Sequence, residues 1–242
     1  MIFFRDQQIT PEQHLAAARH SATIDTNRFG KPVDGCPQIA ELRKEADQTT
    51  HIGGDWHTDH SYDKVPAMGS LLLACEVPPH GGDTLFANMA LAYETLSTGL
   101  KKTLDGLPAV HSTAHVFGAQ GGYAKAADLG GRIGNAQAAT QDVVHPVVIR
   151  HPDTGRRTLY VNAAFTTRFD GWTAAESAPL LKMLYEHAGK PEFSCRFTWQ
   201  AGSIAFWDNR ATWHYALNDY HGHRRVMHRI TVRGTPISAA VA

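Results

Sequence analysis

The segment Trp56-His57-Thr58-Asp59-His60 brings metal-binding residue types closest together in this chain. In extended backbone, residues i and i+2 point to one face, so His57 and Asp59 present an imidazole and a carboxylate side by side, as chelation of one ion requires. The third ligand is expected from His214, which follows an apolar run in FWDNRATWHY at 206–215. Two imidazoles and one carboxylate leave coordination positions open, a set suited to non-haem Fe(II) oxygen chemistry. The same donors suit Zn²⁺ with a hydrolytic water. In a chain with 15 histidines a lone His-x-Asp is a weak signal. His51, His60, His80, His111, His115, His145 and His187 are read as surface or satisfied core imidazoles.

Arg225 and Arg229 are four residues apart and share one face of a strand. On a cavity-facing side each guanidinium needs an anion, and its planar fork grips a carboxylate or sulfonate through two hydrogen bonds. On a solvent-facing side the same arginines, with His221 and His223, make a basic edge. Spacing alone leaves both readings open. Gly81-Gly82 permits a sharp turn that places the Thr84 hydroxyl at a strand start. Neither phosphate-loop pattern, GxxxxGK[ST] or GxGxxG, is present.

These groups need a scaffold, and the pattern predicts strands at 1–4, 69–77, 143–150, 157–162, 203–207 and 224–233. Thr10-Pro11-Glu12-Gln13 reads as a capping box that opens a helix to about His20, and Thr173 with Glu176 opens another over 174–188. Asn88 caps a helix from Met89 that Gly99 is expected to break. Residues 30–55 read as loop, and the Gly-, Ala- and Gln-rich stretch 118–142 as a mobile loop or lid. Short strands on both sides of inserted helices predict a mainly β core with flanking helices, as in a jelly roll, in one domain over 1–242.

Composition narrows the function classes. With 242 residues, 43% hydrophobic and 19% charged, the chain is long enough for one large core. Its 23 basic and 23 acidic residues cancel, so no global field draws in nucleic acid or an anionic membrane. No apolar run approaches a membrane span, and the first residues lack a signal-peptide pattern. Cys36, Cys75 and Cys195 form no CxxC pair and are expected to be buried, reduced thiols of a cytoplasmic protein.

Five ordered segments, WHTDHSY at 56–62, GGDTLFANM at 81–89, LYVNAAFTTRF at 159–169, FWDNRATWHYALNDY at 206–220 and HRRVMHRITVRG at 223–234, resemble the TauD/TfdA family of Fe(II)- and 2-oxoglutarate-dependent dioxygenases. Spacing agrees too: Thr84 lies 25 residues after Asp59, Arg225 lies 11 after His214, and Arg229 four further on. The resemblance implies a double-stranded β-helix, the cupin-like jelly roll. It implies His57, Asp59 and His214 as iron ligands, with Thr84 and Arg225 on the far carboxylate of 2-oxoglutarate. Arg229 would hold the anionic group of a small organic substrate, bordered by Trp56 and Phe206. It further implies O₂ as the other co-substrate, and hydroxylation of a sulfonate or an aryloxy or alkyl carboxylate coupled to formation of succinate and CO₂. A homo-oligomer, dimer or tetramer, is expected. Two departures stand out. Family members carry a few dozen residues ahead of the strand matching Ile2–Phe4, so the chain reads as short at its N-terminus. The taurine-specific member's amide has no counterpart at Gly53, so an anion larger or less polar than taurine is expected. The alternatives are a zinc-dependent hydrolase of an anionic ester and a non-catalytic jelly-roll binding module.

Overall fold

The computed structural model describes residues 1–139 and 142–240. The N-terminal part holds β1 (Ile2–Phe4), α1 (Pro11–Ser21), β2 (Ile24–Asp25), β3 (Pro32–Val33), β4 (Cys36–Lys44), β5 (Ala67–Glu76) and β6 (Thr84–Asn88). The middle holds α2 (Met89–Glu94), α3 (Thr98–Leu104), β7 (Pro108–Ser112), α4 (Ala114–Phe117), β8 (Asp142–Pro146), β9 (Val148–Arg150), β10 (Arg157–Leu159) and β11 (Thr166–Phe169). The C-terminal part holds α5 (Ala174–Ala188), β12 (Ser194–Phe197), β13 (Ile204–Asp208), β14 (Thr212–Ala216), β15 (Arg225–Arg233) and β16 (Ser238–Ala239).

The major sheet runs β1-β13-β5-β15-β4-β3, with β2 also paired to β15, and a smaller sheet runs β12-β6-β14. All of these pairs are antiparallel. The two sheets close on a shared core: Leu72, Ala205, Trp207 and Met227 from the major sheet meet Phe86 and Phe197 from the smaller one. This is the expected double-stranded β-helix. Strand β5 reads as a continuous apolar run because both its faces are covered. Leu72 and Ala74 face the inter-sheet core, while Leu71 packs with Ile230, Val232 and Ala18 of α1.

Both capping boxes form. The Thr10 amide donates to Gln13 Oε1 at 2.8 Å and the Thr173 amide to Glu176 Oε2 at 2.8 Å. Helix α5 packs Leu181, Leu184 and Ala188 against Trp213 and the α2 residues Met89 and Ala92 in the largest core cluster.

Several expectations are corrected. The stretch read as loop contains β4, nine residues long, whose mixture of Pro, Gln, Glu, Arg and Lys hides a strand that pairing with β15 supplies. The break between α2 and α3 falls at 95–97, not at Gly99. There the Thr95 hydroxyl donates back to Leu91 O, Ser97 accepts the Leu100 amide as a new cap, and Gly99 lies within α3. The strand predicted over 143–150 is two, β8 in a sheet with β7 and β9 in a sheet with β10 and β16. Cys36, Cys75 and Cys195 are free thiols, but none is buried: Cys36 is half-buried, and Cys75 and Cys195 are exposed. The predicted lid includes residues 140 and 141, which lie outside the described residues. Among the described residues no helix is long and apolar enough to cross a membrane.

Two buried histidines give the fold a pH dependence. His14 on α1 is fully buried with neither ring nitrogen hydrogen-bonded, and burial, helped by nearby His228, lowers its pKa to about 4. Burial, with His145 beside it, lowers His111 to about 3. Both native pKa values lie below the unfolded value near 6.5, so the unfolded chain binds more protons between them. Stability is therefore full above pH 6.5 and falls as pH drops toward 4, by on the order of a few kcal/mol per group. Urea denaturation between pH 7.5 and 4.5 should show this slope. His14→Leu, which removes two unpartnered buried nitrogens, should flatten it and raise the midpoint.

Candidate active site

The segment carrying His57 and Asp59 is anchored from both sides. The His57 amide donates to His214 O at 3.1 Å and the His214 amide to His57 O at 2.9 Å, an antiparallel bridge that sets the two imidazoles together. Their ring centroids are 4.0 Å apart. Thr58 points to the opposite side, and its hydroxyl lies within hydrogen-bond reach of two carbonyls, Thr212 O at 2.9 Å and Asn209 O at 3.1 Å. One ligand atom from each of His57, Asp59 and His214 lies within 4.8 Å of the others, and all three residues are buried. His57 Nε2 stands 3.8 Å from Asp59 Oδ1, and His214 Nε2 3.8 Å from Asp59 Oδ2.

The protonation states suit a cation. His57 Nδ1 donates to Asp55 O at 2.7 Å, which fixes the tautomer and leaves Nε2 as a lone-pair donor. Burial pushes the pKa values of both imidazoles down, His214 strongly, so both are neutral at neutral pH. Burial would raise the Asp59 carboxyl, but the Arg229 guanidinium above all holds it well below the usual carboxylate range. Two neutral imidazoles and one ionised carboxylate, gathered at one point without an ion pair between them, fit a divalent ion of the Fe(II) type.

Asp59 is braced by two residues the sequence did not reveal as its partners. Ser70 Oγ donates to Asp59 Oδ2 at 2.8 Å, and Arg229 Nη1 donates to Asp59 Oδ1 at 3.0 Å. A serine within the apolar run of β5 was the available signal, since a hydroxyl in a buried strand needs a polar partner. Among the described residues two other His/Asp groupings occur, Asp25-His60-Asp63 and His151-Asp153-Asp208. Each already carries a guanidinium: Arg28 on Asp63, and Arg210 on Asp153 and Asp208.

The triad opens on a cavity of about 780 Å³. Arg225, Thr84, Arg229 and Trp207 line it. Arg225 is buried, with Nε and Nη2 lacking any partner, so its side faces the cavity and the solvated-edge reading fails. Trp199 joins it to Thr84: the indole N–H donates to Thr84 Oγ1 at 2.9 Å, and the Arg225 guanidinium carbon lies 5.9 Å from a Trp199 ring centroid. Gly82, at φ +68°, lets the chain pass this end, since a Cβ there would stand 3.3 Å from Arg225 Cδ. Gly53, at φ +81° in the left-handed region that favours glycine, would put a Cβ 3.3 Å from His57 Cε1, so a side chain there would press on the His57 ring.

Trp56 and Phe206 do not line the cavity. Trp56 packs beside Trp213 and Tyr215 in the helix-facing core. Phe206 lies on the outer face of the major sheet with the α1 cluster, and the next residue, Trp207, faces inward in its place. Strand alternation makes the choice between 206 and 207 a choice of face.

Another part of the cavity wall is aromatic, and Phe165 reaches within 6.2 Å of the His57 ring. Phe117 stacks on Phe29 at 4.3 Å, and Tyr62 meets Phe165 edge-on at 4.7 Å. The described part of the predicted lid supplies Gly122, Tyr123, Ala126 and Ile133 to the wall. It is tied to the loop beneath it. The Thr49 and Thr50 amides both donate to Asp128 Oδ2 at 2.8 Å, and the Gly53 amide donates to the Tyr123 hydroxyl at 3.2 Å.

Residues 1–231 match the family described as taurine catabolism dioxygenase TauD, TfdA family. The chain is 35% identical over 250 residues to an alkylsulfatase of Acinetobacter baylyi, spanning 99% of this chain and 75% of that enzyme. It is 30% identical over 254 residues to the alpha-ketoglutarate-dependent 2,4-dichlorophenoxyacetate dioxygenase of a Burkholderia species, spanning 97% of this chain and 82% of that enzyme. A crystal structure of a taurine dioxygenase from Burkholderia xenovorans superposes with a TM-score of 0.80 at 37% identity, covering 98% of this chain and 78% of that one. With the β-helix, the His-Asp-His cluster and these likenesses in agreement, the chain belongs to the TauD/TfdA family and is a dioxygenase that uses Fe(II), 2-oxoglutarate and O₂.

Proposed function

We propose that this enzyme hydroxylates a small organic anion with an apolar body: a sulfonate, a sulfate ester, or an aryloxy or alkyl carboxylate. The observation that carries this reading is a single cavity lined by both cationic and aromatic side chains. Cationic Arg225 and Arg229 lie toward the triad, and Phe29, Tyr62, Phe117 and Phe165 form an apolar wall. Its volume lies within the roughly 300–1,000 Å³ of drug-sized pockets, room for a five-carbon co-substrate and a second ligand together. The relatives include an alkylsulfatase and a 2,4-dichlorophenoxyacetate dioxygenase, both named for anions with an apolar part.

In this mechanism His57, Asp59 and His214 hold Fe(II). Once bound with 2-oxoglutarate and O₂, the metal supplies oxidative decarboxylation to succinate and CO₂, coupled to insertion of one oxygen atom into a substrate C–H bond. The chain's own residues do the rest. Arg225 and Thr84 fix the far carboxylate of 2-oxoglutarate, and Trp199 holds both in place. Arg229 braces Asp59 through Nη1 and turns the rest of its fork toward the substrate's anionic group. The aromatic wall excludes water and aligns the apolar body.

Anaerobic titration with Fe(II) and 2-oxoglutarate should produce the weak visible charge-transfer band of a chelated 2-oxo acid, with His57→Ala as the blank. The band should shift with an anion from a panel of sulfonates, sulfate esters and aryloxy acids. Absence of the band in folded protein, or Zn²⁺-dependent ester hydrolysis without 2-oxoglutarate, would overturn the reading. Phe117→Ala should lower kcat/KM for aryl or long-chain anions by about tenfold or more, the worth of one lost aromatic contact. Short-chain anions and 2-oxoglutarate affinity should be nearly unaffected. A uniform loss across the panel would show that Phe117 acts on the fold and not on the substrate.

A further inference from the structure

Lys44 on β4 stands directly opposite Arg225 on β15. Residues paired in this way have Cβ atoms about 5 Å apart on one face of the sheet. That face is the inner one, because Leu42 and Met227, paired two residues along, both pack in the inter-sheet core. Lys44 is only 6% exposed, and its ammonium has no hydrogen-bond partner among the described residues. It rests 4.5 Å from the ring centroid of Tyr220. Tyr220 in turn packs close to Arg225: a Cβ on Gly82 would lie 3.3 Å from Tyr220 Cδ1 and 3.3 Å from Arg225 Cδ. Asn218, which lines the cavity, has a buried side-chain oxygen without a partner among the described residues.

The acidic group whose charge reaches Lys44 is Asp128, and its carboxylate is already engaged by the Thr49 hydroxyl and the Thr49 and Thr50 amides. Two buried cations thus sit on neighbouring strands, and among the described residues no carboxylate is hydrogen-bonded to either. Each carries the cost of desolvating a charge, which an anion received between the two would lower. The π-face of Tyr220 offsets part of this for Lys44 and gives it a position to wait in.

We propose that Lys44 is a second cation for the far carboxylate of 2-oxoglutarate, binding it together with Arg225. The proposal rests on the reading that assigns the Arg225 end of the cavity to this co-substrate. A carboxylate has two oxygens, and the Arg225 fork with the Thr84 hydroxyl leaves lone pairs that an ammonium on the adjacent strand can occupy. Lys44 then favours a dicarboxylic over a monocarboxylic 2-oxo acid by charge as well as by fit.

The test is calorimetric binding with Mn(II) in place of Fe(II), so that no turnover occurs. The ligands are 2-oxoglutarate and 2-oxopentanoate, which carries a methyl where the far carboxylate would be. Lys44→Met should weaken 2-oxoglutarate by about tenfold or more, the effect of one charge-assisted hydrogen bond, and leave 2-oxopentanoate unchanged. Lys44→Arg should retain most of the affinity. Lys44→Gln serves as the neutral variant of similar length if the methionine protein fails to fold. Equal weakening of both ligands, or an unchanged 2-oxoglutarate affinity, would overturn the proposal. Failure of the wild-type protein to bind either 2-oxo acid would overturn the co-substrate reading beneath it, which is a distinct result.

Discussion

Asp59→Ala should abolish both divalent-metal binding and turnover, and should destabilise the fold by about 3–5 kcal/mol. Asp59 is the one carboxylate of the triad, so its loss leaves two neutral imidazoles with weak hold on a hard divalent ion. The stability effect has a separate origin. Arg229 Nη1 donates to Asp59 at 3.0 Å, and its Nε is already buried without a partner. Removing the carboxylate strands a mostly buried guanidinium, the costly way to break such a pair. The double variant Asp59→Ala/Arg229→Met should therefore recover most of the lost stability and none of the activity. Calorimetry with Mn(II) and urea denaturation read the two effects independently. Metal affinity within tenfold of wild type in Asp59→Ala would refute its assignment as a ligand. Loss of stability in the double variant equal to that in the single one would refute the ion-pair argument.

Arg225→Ala is expected to weaken 2-oxoglutarate by roughly 30- to 1,000-fold, or about 2–4 kcal/mol, because a buried carboxylate would lose its paired cation. The ligand-free protein should be no less stable, and the reason lies in the geometry. Two nitrogens of the Arg225 guanidinium are buried without partners, and burial pushes its pKa down, so the ligand-free fold carries this charge at a penalty. A site that holds its ligand well and its own empty state poorly is the usual trade between function and stability. Arg229→Ala should differ in kind. It should spare the far carboxylate of 2-oxoglutarate, weaken the primary substrate, and weaken the metal as well, because Arg229 fixes the Asp59 carboxylate. Titrating each variant with Mn(II), then 2-oxoglutarate, then substrate separates the three effects. Identical losses of 2-oxoglutarate affinity in the two variants would remove the division of labour between the arginines.

These contrasts also mark where sequence reasoning stopped. His57 and Asp59 were legible as a pair because their relation is local, two residues of extended chain. Strand β15 was legible as a strand, but its face was not: Arg225 and Arg229 suited a solvated edge as well as a cavity until the neighbouring strands were in place. Phe206 illustrates the same limit from the other side. It was expected beside the substrate, yet alternation turns it to the α1 face and turns Trp207 to the cavity. A shift of one residue exchanges every inward side chain for an outward one, and only inter-strand register decides between them. Lys44 was passed over for a related reason. Its strand carries no apolar alternation strong enough to stand out, and it exists as a strand through its pairing with β15.

By itself the sequence determined the caps of α1 and α5, the buried character of β5, the local His-x-Asp pair and, through five ordered segments, the family. These depend on short-range geometry or on residue identity along the chain. Only the tertiary structure decided that His214 meets His57 across a β-bridge, that Ser70 and Arg229 brace Asp59, and that Arg225 and Lys44 are buried opposite one another on paired strands. Each of these joins residues from separate segments of the chain. Hydrogen-bond register and the closing of two sheets on a common core set such contacts, and neither is written in the spacing of any one segment.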